Sequence, residues 1–137
     1  MRTHKDLPGI IKKGEGSGSD SWKLVDWDDP ISAEEESRFS CEMTTFQSQQ
    51  SHKQAQICVH TFPDVVSEGI KKNKHWHDCP ILSRIWNEGP SNDGSAHYYL
   101  EIGANIGSCV MEMLLGTNAQ IIAFEPHPMN LYNIKKS

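Results

Sequence analysis

Long apolar runs are missing from this sequence: nothing approaches the roughly 18 consecutive apolar residues of a membrane-crossing helix, so no membrane segment is expected. Residues 1–11 carry Arg2, Lys5 and Asp6 but no apolar core of signal-peptide length, which makes the cytoplasm the default compartment. Basic clusters are scarce too. Lys71, Lys72 and Lys74 form one short basic run in a chain of formal net charge -5, and they read as a solvated helix end. Nucleic acid is therefore not an expected partner. The four cysteines, Cys41, Cys58, Cys79 and Cys109, share no CxxC spacing. In a reducing compartment they are predicted to be free, buried thiols. His75, His77 and Cys79 are zinc-ligand types, but no second ligand cluster stands nearby, and no metal is expected. Cys109 is predicted to pack in the core rather than to act as a reactive thiol.

What remains is a chain of 137 residues, 36% hydrophobic and 23% charged, sufficient for one ordinary α/β domain without internal repeats. The run Gly14–Ser21 has linker composition, so residues 1–21 are predicted to be a flexible segment. Residues 22–55 read as a helical and loop arm, anchored by Trp22 and Trp27. Within it, Ser32 and Glu35 form a capping-box pattern, and Phe39, Met43 and Phe46 recur at helical spacing. That predicts a helix from about 33 to the mid-forties. Residues 47–54 read as a loop. Residues 56–62 suit a strand, Pro63 and Asp64 open a short helix through Val65, Val66 and Ile70, and Pro80 opens another behind Asp78. Ile81, Leu82, Ile85 and Trp86 would give that helix its apolar face. Residues 89–95 are a loop by composition.

The pattern changes at His97. A β-prone run, Tyr98-Tyr99-Leu100-Glu101-Ile102, leads into Gly103-Ala104-Asn105-Ile106-Gly107, and then into a helical stretch from Ser108 to Leu115. Ile106, Val110, Met113 and Leu114 are predicted to share one face of it, with Gly116 as its stop. Gln120–Glu125 is nearly continuous apolar sequence ending in a carboxylate, as expected of a strand buried in a parallel sheet. Pro128 begins a last helix with Leu131 and Ile134 inward. Strand, glycine turn, helix, strand and acid together make a βαβ nucleotide-binding unit. Gly103 and Gly107 allow unusual dihedrals and close ligand approach, leaving backbone amides at the strand end to face a ligand. Glu125, twenty-two residues after Gly103, stands about where an acid reaches a ribose diol. The Gly-x-x-x-Gly spacing is not that of dinucleotide binders, which disfavours a nicotinamide oxidoreductase.

Tyr99–Gly107, followed by Ile122-Ala123-Phe124-Glu125-Pro126-His127-Pro128, resembles the FkbM-type class I S-adenosylmethionine-dependent methyltransferases. Their signature is an acid before Ile-Gly-Ala-Asn-Ile-Gly, then a strand ending Ala-Phe-Glu-Pro. Asp64-Val65-Val66-Ser67 and Trp76 are similar to the segment those enzymes carry upstream. The likeness covers roughly residues 56–137 and is most specific over 99–128. This chain departs from the pattern at Glu101, where Asp is usual, at Ser108, where an aromatic is common, and at His77, where an acid follows Trp76.

The resemblance implies a Rossmann-like class I methyltransferase fold, incomplete here, with only the first βαβ unit and upstream elements. It implies S-adenosylmethionine as cofactor, with Gly103, Ala104, Asn105 and Gly107 along its methionine part. Glu101 would orient the ammonium, Glu125 would hold the ribose, and Pro126 and His127 would border the adenine. The implied activity is methylation of a hydroxyl on a carbohydrate or small-molecule acceptor, with the chain expected to be an inactive N-terminal piece. No residue is singled out as catalytic base, and oligomeric state is left open. The alternative reading is a non-catalytic remnant or interaction module that keeps the βαβ unit.

Overall fold

The computed structural model describes residues 10–13, 22–25, 29–90, 93, 95 and 97–137. Trp27, the whole linker-like run Gly14–Ser21 and part of the 89–95 loop lie outside the described residues.

The described residues are mixed α/β and form two sheets. Strands β1 (Ile10–Lys13) and β2 (Trp22–Val25) pair antiparallel, so part of the predicted flexible segment and of the predicted arm is β-structure. Helix α1 (Ala33–Arg38) begins with the predicted capping box: the Glu35 amide donates to Ser32 Oγ at 3.1 Å, and the Ser32 amide donates to Glu35 Oε2 at 2.9 Å. It ends far short of the mid-forties, because Phe39 is already extended. Residues Glu42–Gln47 instead form β3, paired antiparallel with β4 (Gln54–Val59). Phe46 is buried there and Met43 is exposed, so the helical stripe does not exist. The predicted strand at 56–62 accordingly shifts toward the N-terminus and stops at Val59.

Helix α2 (Val65–Asn73) starts at Asp64, whose carboxylate accepts from the Ser67 amide at 2.8 Å. Lys71 and Lys72 lie in its last turn. Lys71 pairs with Glu42 at 2.8 Å. Helix α3 (Cys79–Glu88) follows behind Asp78, with Cys79 as its first residue and Pro80 as its second, one later than predicted. Its apolar face differs from the prediction. Leu82 and Trp86 pack against the core, whereas Ile81 and Ile85 are exposed and Cys79 and Ser83 are buried.

Strand β5 (Tyr98–Ile102), helix α4 (Ser108–Gly116), strand β6 (Gln120–Phe124) and helix α5 (Pro128–Lys136) form the predicted βαβ unit with its final helix. β5 and β6 pair in parallel with Leu100 opposite Ile122, and β1 pairs parallel with the other side of β6. The four-stranded order is β2-β1-β6-β5, which leaves β5 at an edge among the described residues. Its alternation splits the sheet faces. Tyr99 packs inward on the core, while Tyr98, Leu100 and Ile102 point outward and are 62%, 54% and 80% exposed.

Helix α4 sits between two apolar cores, which explains why it is nearly all apolar. Val110, Met113 and Leu114 join Ala104, Ile121, Ala123, Leu131 and Ile134 on one side. Ile106, Met111 and Leu115 face Phe46, Ile57, Val59 and Ile70 on the other, so Ile106 does not share a face with Val110 and Met113 as predicted. Leu131 and Ile134 of α5 are inward, as expected. Gly116 is the last residue of α4 rather than a left-handed stop. A Cβ there would lie 2.9 Å from Ser48 Oγ and 3.2 Å from Glu112 Oε1, so its missing side chain makes room for packing.

All four cysteines are paired, Cys41 with Cys58 and Cys79 with Cys109, which corrects the expectation of free thiols and of Cys109 as a simple packing residue. Spacing alone could not reveal these pairs, which close over 17 and 30 residues.

Candidate functional site

The glycine turn stands at the carboxyl ends of β5 and β6. Gly103 and Gly107 have φ of +77° and +83°, and Asn105 has φ of +53°. A backbone reversing this sharply needs left-handed conformations that only glycine and, less readily, asparagine adopt without strain. The two glycines differ in what surrounds them. A Cβ on Gly103 would meet nothing within 4 Å, whereas one on Gly107 would press on Ile134 Cγ1 at 3.1 Å. Gly103 thus borders open space, and Gly107 lets α4 approach α5.

The turn's amides do not all face outward, as the sequence predicts they would. Gly103 and Ala104 both donate to the Phe124 carbonyl, at 2.8 and 3.1 Å, and Gly107 donates to the Ala104 carbonyl at 2.9 Å. The Asn105 amide donates to Glu125 Oε2 at 2.6 Å. Glu125, one residue past β6, therefore points at the turn, as the sequence requires of a diol-binding acid. Its other oxygen accepts from the His127 amide at 2.8 Å. Glu125 is 4% exposed, and its carboxylate uses two of its roughly four acceptor positions. Pro126 and His127 are exposed beside it, and Ala104 is buried in the core beneath the turn. α4 begins behind Gly107 with no side-chain cap and no acid in its first turn.

Glu101 lies two residues before Gly103 on the covered face of β5. Its Oε2 is buried and has no hydrogen-bond partner. Burial pushes its carboxyl up to about 7, against a smaller downward pull from the Tyr99 hydroxyl. Burial, together with the nearby Glu101 carboxylate, raises the Tyr99 phenol in turn. The bare oxygen is an acceptor that a cationic group could fill, and such a partner would draw the raised carboxyl back down.

Two further clusters escape sequence reasoning. Glu112, the one charged residue of α4, is fully buried. It accepts from Ser48 Oγ at 3.0 Å, Ser83 Oγ at 2.7 Å and the Gln49 amide at 3.2 Å. Only its position between two cores, where an apolar residue is expected, could have marked it. Asp93, Ser95 and His97 have the composition of a hydrolytic triad. The Ser95 hydroxyl and the Asp93 carboxylate, however, both meet the same ring nitrogen, His97 Nε2, at 2.7 and 2.9 Å. A triad needs the acid on the opposite nitrogen to orient the ring, so these residues form a loop clasp instead. The Ser95 hydroxyl and amide, with a further contribution from His97, hold the Asp93 carboxyl well below its ordinary range.

Among the described residues no group of three or more His, Cys, Asp or Glu side chains could hold a metal ion. His75 Nδ1 lies 2.9 Å from the Asn73 carbonyl, His77 faces Asp78, and Cys79 is in a disulfide. No helix among the described residues is long and apolar enough to cross a membrane.

Of the eight residues singled out in the sequence, seven (Gly103, Ala104, Asn105, Gly107, Glu125, Pro126 and His127) converge on the turn itself, and Glu101 stands on the strand that leads into it. In comparison with known proteins, no family model, no curated protein and no solved structure matches this chain.

Proposed function

We propose that residues 98–137 form the cofactor-binding unit of an FkbM-type class I S-adenosylmethionine-dependent methyltransferase, built on the Rossmann-like fold of that class. One observation carries this reading: Glu125, at the end of one parallel strand, directs its carboxylate at the glycine turn that ends the neighbouring strand. Parallel strands bind nucleotide-like ligands at such carboxyl ends. Three features fit the cofactor. Gly103 borders open space, Glu101 keeps an unpartnered carboxylate oxygen for an ammonium, and Glu125 retains acceptor capacity for a diol. Asn105, Pro126 and His127 stand at the same turn. The cofactor would supply a methyl group on a sulfonium, and an acceptor hydroxyl on a carbohydrate or small molecule fits the reading.

A second reading is favoured by the near-complete burial of Glu125. With both oxygens on backbone amides, the carboxylate also serves as an internal cap for the turn. The chain would then be an interaction module that keeps the βαβ unit without the chemistry.

Calorimetric titration with S-adenosylhomocysteine and, separately, with NAD distinguishes these. The methyltransferase reading expects binding heat from the first, with affinity weakened roughly ten- to hundred-fold in Glu125→Ala, and none from the second. Silence with both ligands, from a chain shown to be folded, would leave the interaction module standing.

A further inference from the structure

We infer that the Cys79–Cys109 disulfide is a redox latch on the glycine turn, a role independent of what the turn binds. Helices α3 and α4 run side by side in the same direction, joined by three rungs. Cys79 meets Cys109 at their N-terminal ends, Ser83 Oγ donates to Glu112 at 2.7 Å, and Asn87 Nδ2 donates to the Gly116 carbonyl at 2.9 Å. The covalent rung lies two residues after Gly107, where the turn enters α4. Near the turn it is the covalent tie between the start of α4 and α3. The other two hold the middle and far end of the pair without it.

The pair is arranged for attack from one side. Cys79 is fully buried and is the first residue of α3, whereas Cys109 is partly exposed. In the proposed exchange the thiolate of a dithiol reductant attacks Cys109 Sγ and forms a mixed disulfide. The sulfur–sulfur bond breaks with its electron pair passing to Cys79 Sγ. That departing thiolate sits at a helix N-terminus, 3.8 Å from the Ser108 hydroxyl, and both features stabilise negative sulfur. The reductant's second thiol then displaces Cys109, leaving two protein thiols and an oxidised reductant. The polar rungs keep α3 in place, and the turn with the first turn of α4 is released to open locally.

The test uses the chain carrying Cys41→Ala and Cys58→Ala, so that one disulfide remains, and compares amide hydrogen exchange with and without dithiothreitol. On reduction, exchange over residues 103–110 should rise about ten-fold or more, with β4 and α2 unchanged. If this variant does not fold, the oxidised wild-type chain is compared with Cys79→Ser/Cys109→Ser in the same assay. Unchanged exchange at the turn would overturn the inference. So would an equal rise across the whole chain, which marks a structural staple, or alkylation of Cys79 and Cys109 without reductant.

Discussion

Two carboxylate sites in this molecule are buried to similar depth and differ in how they are satisfied. Glu112, wedged between α3, α4 and the β3–β4 hairpin turn, meets two hydroxyls and an amide. At the glycine turn Glu125 meets two amides, while Glu101 nearby keeps a buried oxygen with no partner, and Gly103 opens onto empty space. Burying a polar group without a partner is costly, and a fold retains that cost where something other than stability needs it. The contrast separates a structural tie from a candidate site.

The largest effect is expected at Glu112. Glu112→Ala would strand Ser48, Ser83 and the Gln49 amide and leave a cavity, at an expected cost of about 3–5 kcal/mol of stability. Urea unfolding checks this, and a loss well under 1 kcal/mol would show that the hydroxyls find other partners. Glu125→Ala should instead weaken S-adenosylhomocysteine binding by about 1.5–3 kcal/mol, roughly ten- to hundred-fold. Because Glu125 also caps the turn, melting must be recorded alongside. Affinity lost only in proportion to folded fraction would remove the residue from binding.

Glu101 should respond with the opposite sign. Its raised pKa means that the folded chain holds a proton that the unfolded chain releases, so its contribution to stability falls as pH climbs from about 4.5 to about 7. Above that range Glu101→Gln should raise stability by about 1–2 kcal/mol, and below about pH 4 it should change little. Melting curves at both ends decide, and equal effects at both would deny the shift. The smallest stability effect is expected from Gly103→Ala, about 1 kcal/mol, from its left-handed backbone alone. Gly107→Ala should cost more, since it adds pressure on Ile134. If Gly103→Ala abolishes ligand binding while remaining well folded, the open space beside it is the ligand's.

The legible parts of the chain were those set by near neighbours. Ser32 and Glu35 cap α1 within one turn, Asp64 caps α2, and the alternation from β5 through the turn to β6 is written in consecutive residues. Strand β3 was hidden because Phe39, Met43 and Phe46 imitate a helical stripe, while the pairing that decides the matter comes from β4. Its β-branched Thr44 and Thr45 were the available hint. Glu112 was hidden because its partners Ser48 and Ser83 lie 64 and 29 residues away. The direction of Glu125 could be read from its position. That it also closes the turn through the Asn105 amide could not, since this depends on the dihedrals of that turn.

Backbone amide NMR spectra of the chain, recorded as S-adenosylhomocysteine is added, decide whether the glycine turn is a cofactor site. The account expects shifts concentrated in Gly103–Gly107 and Glu125–His127, led by Asn105 and His127, whose amides already donate to the Glu125 carboxylate. Saturating ligand that leaves those resonances in place, or that moves only residues elsewhere in the fold, would contradict it.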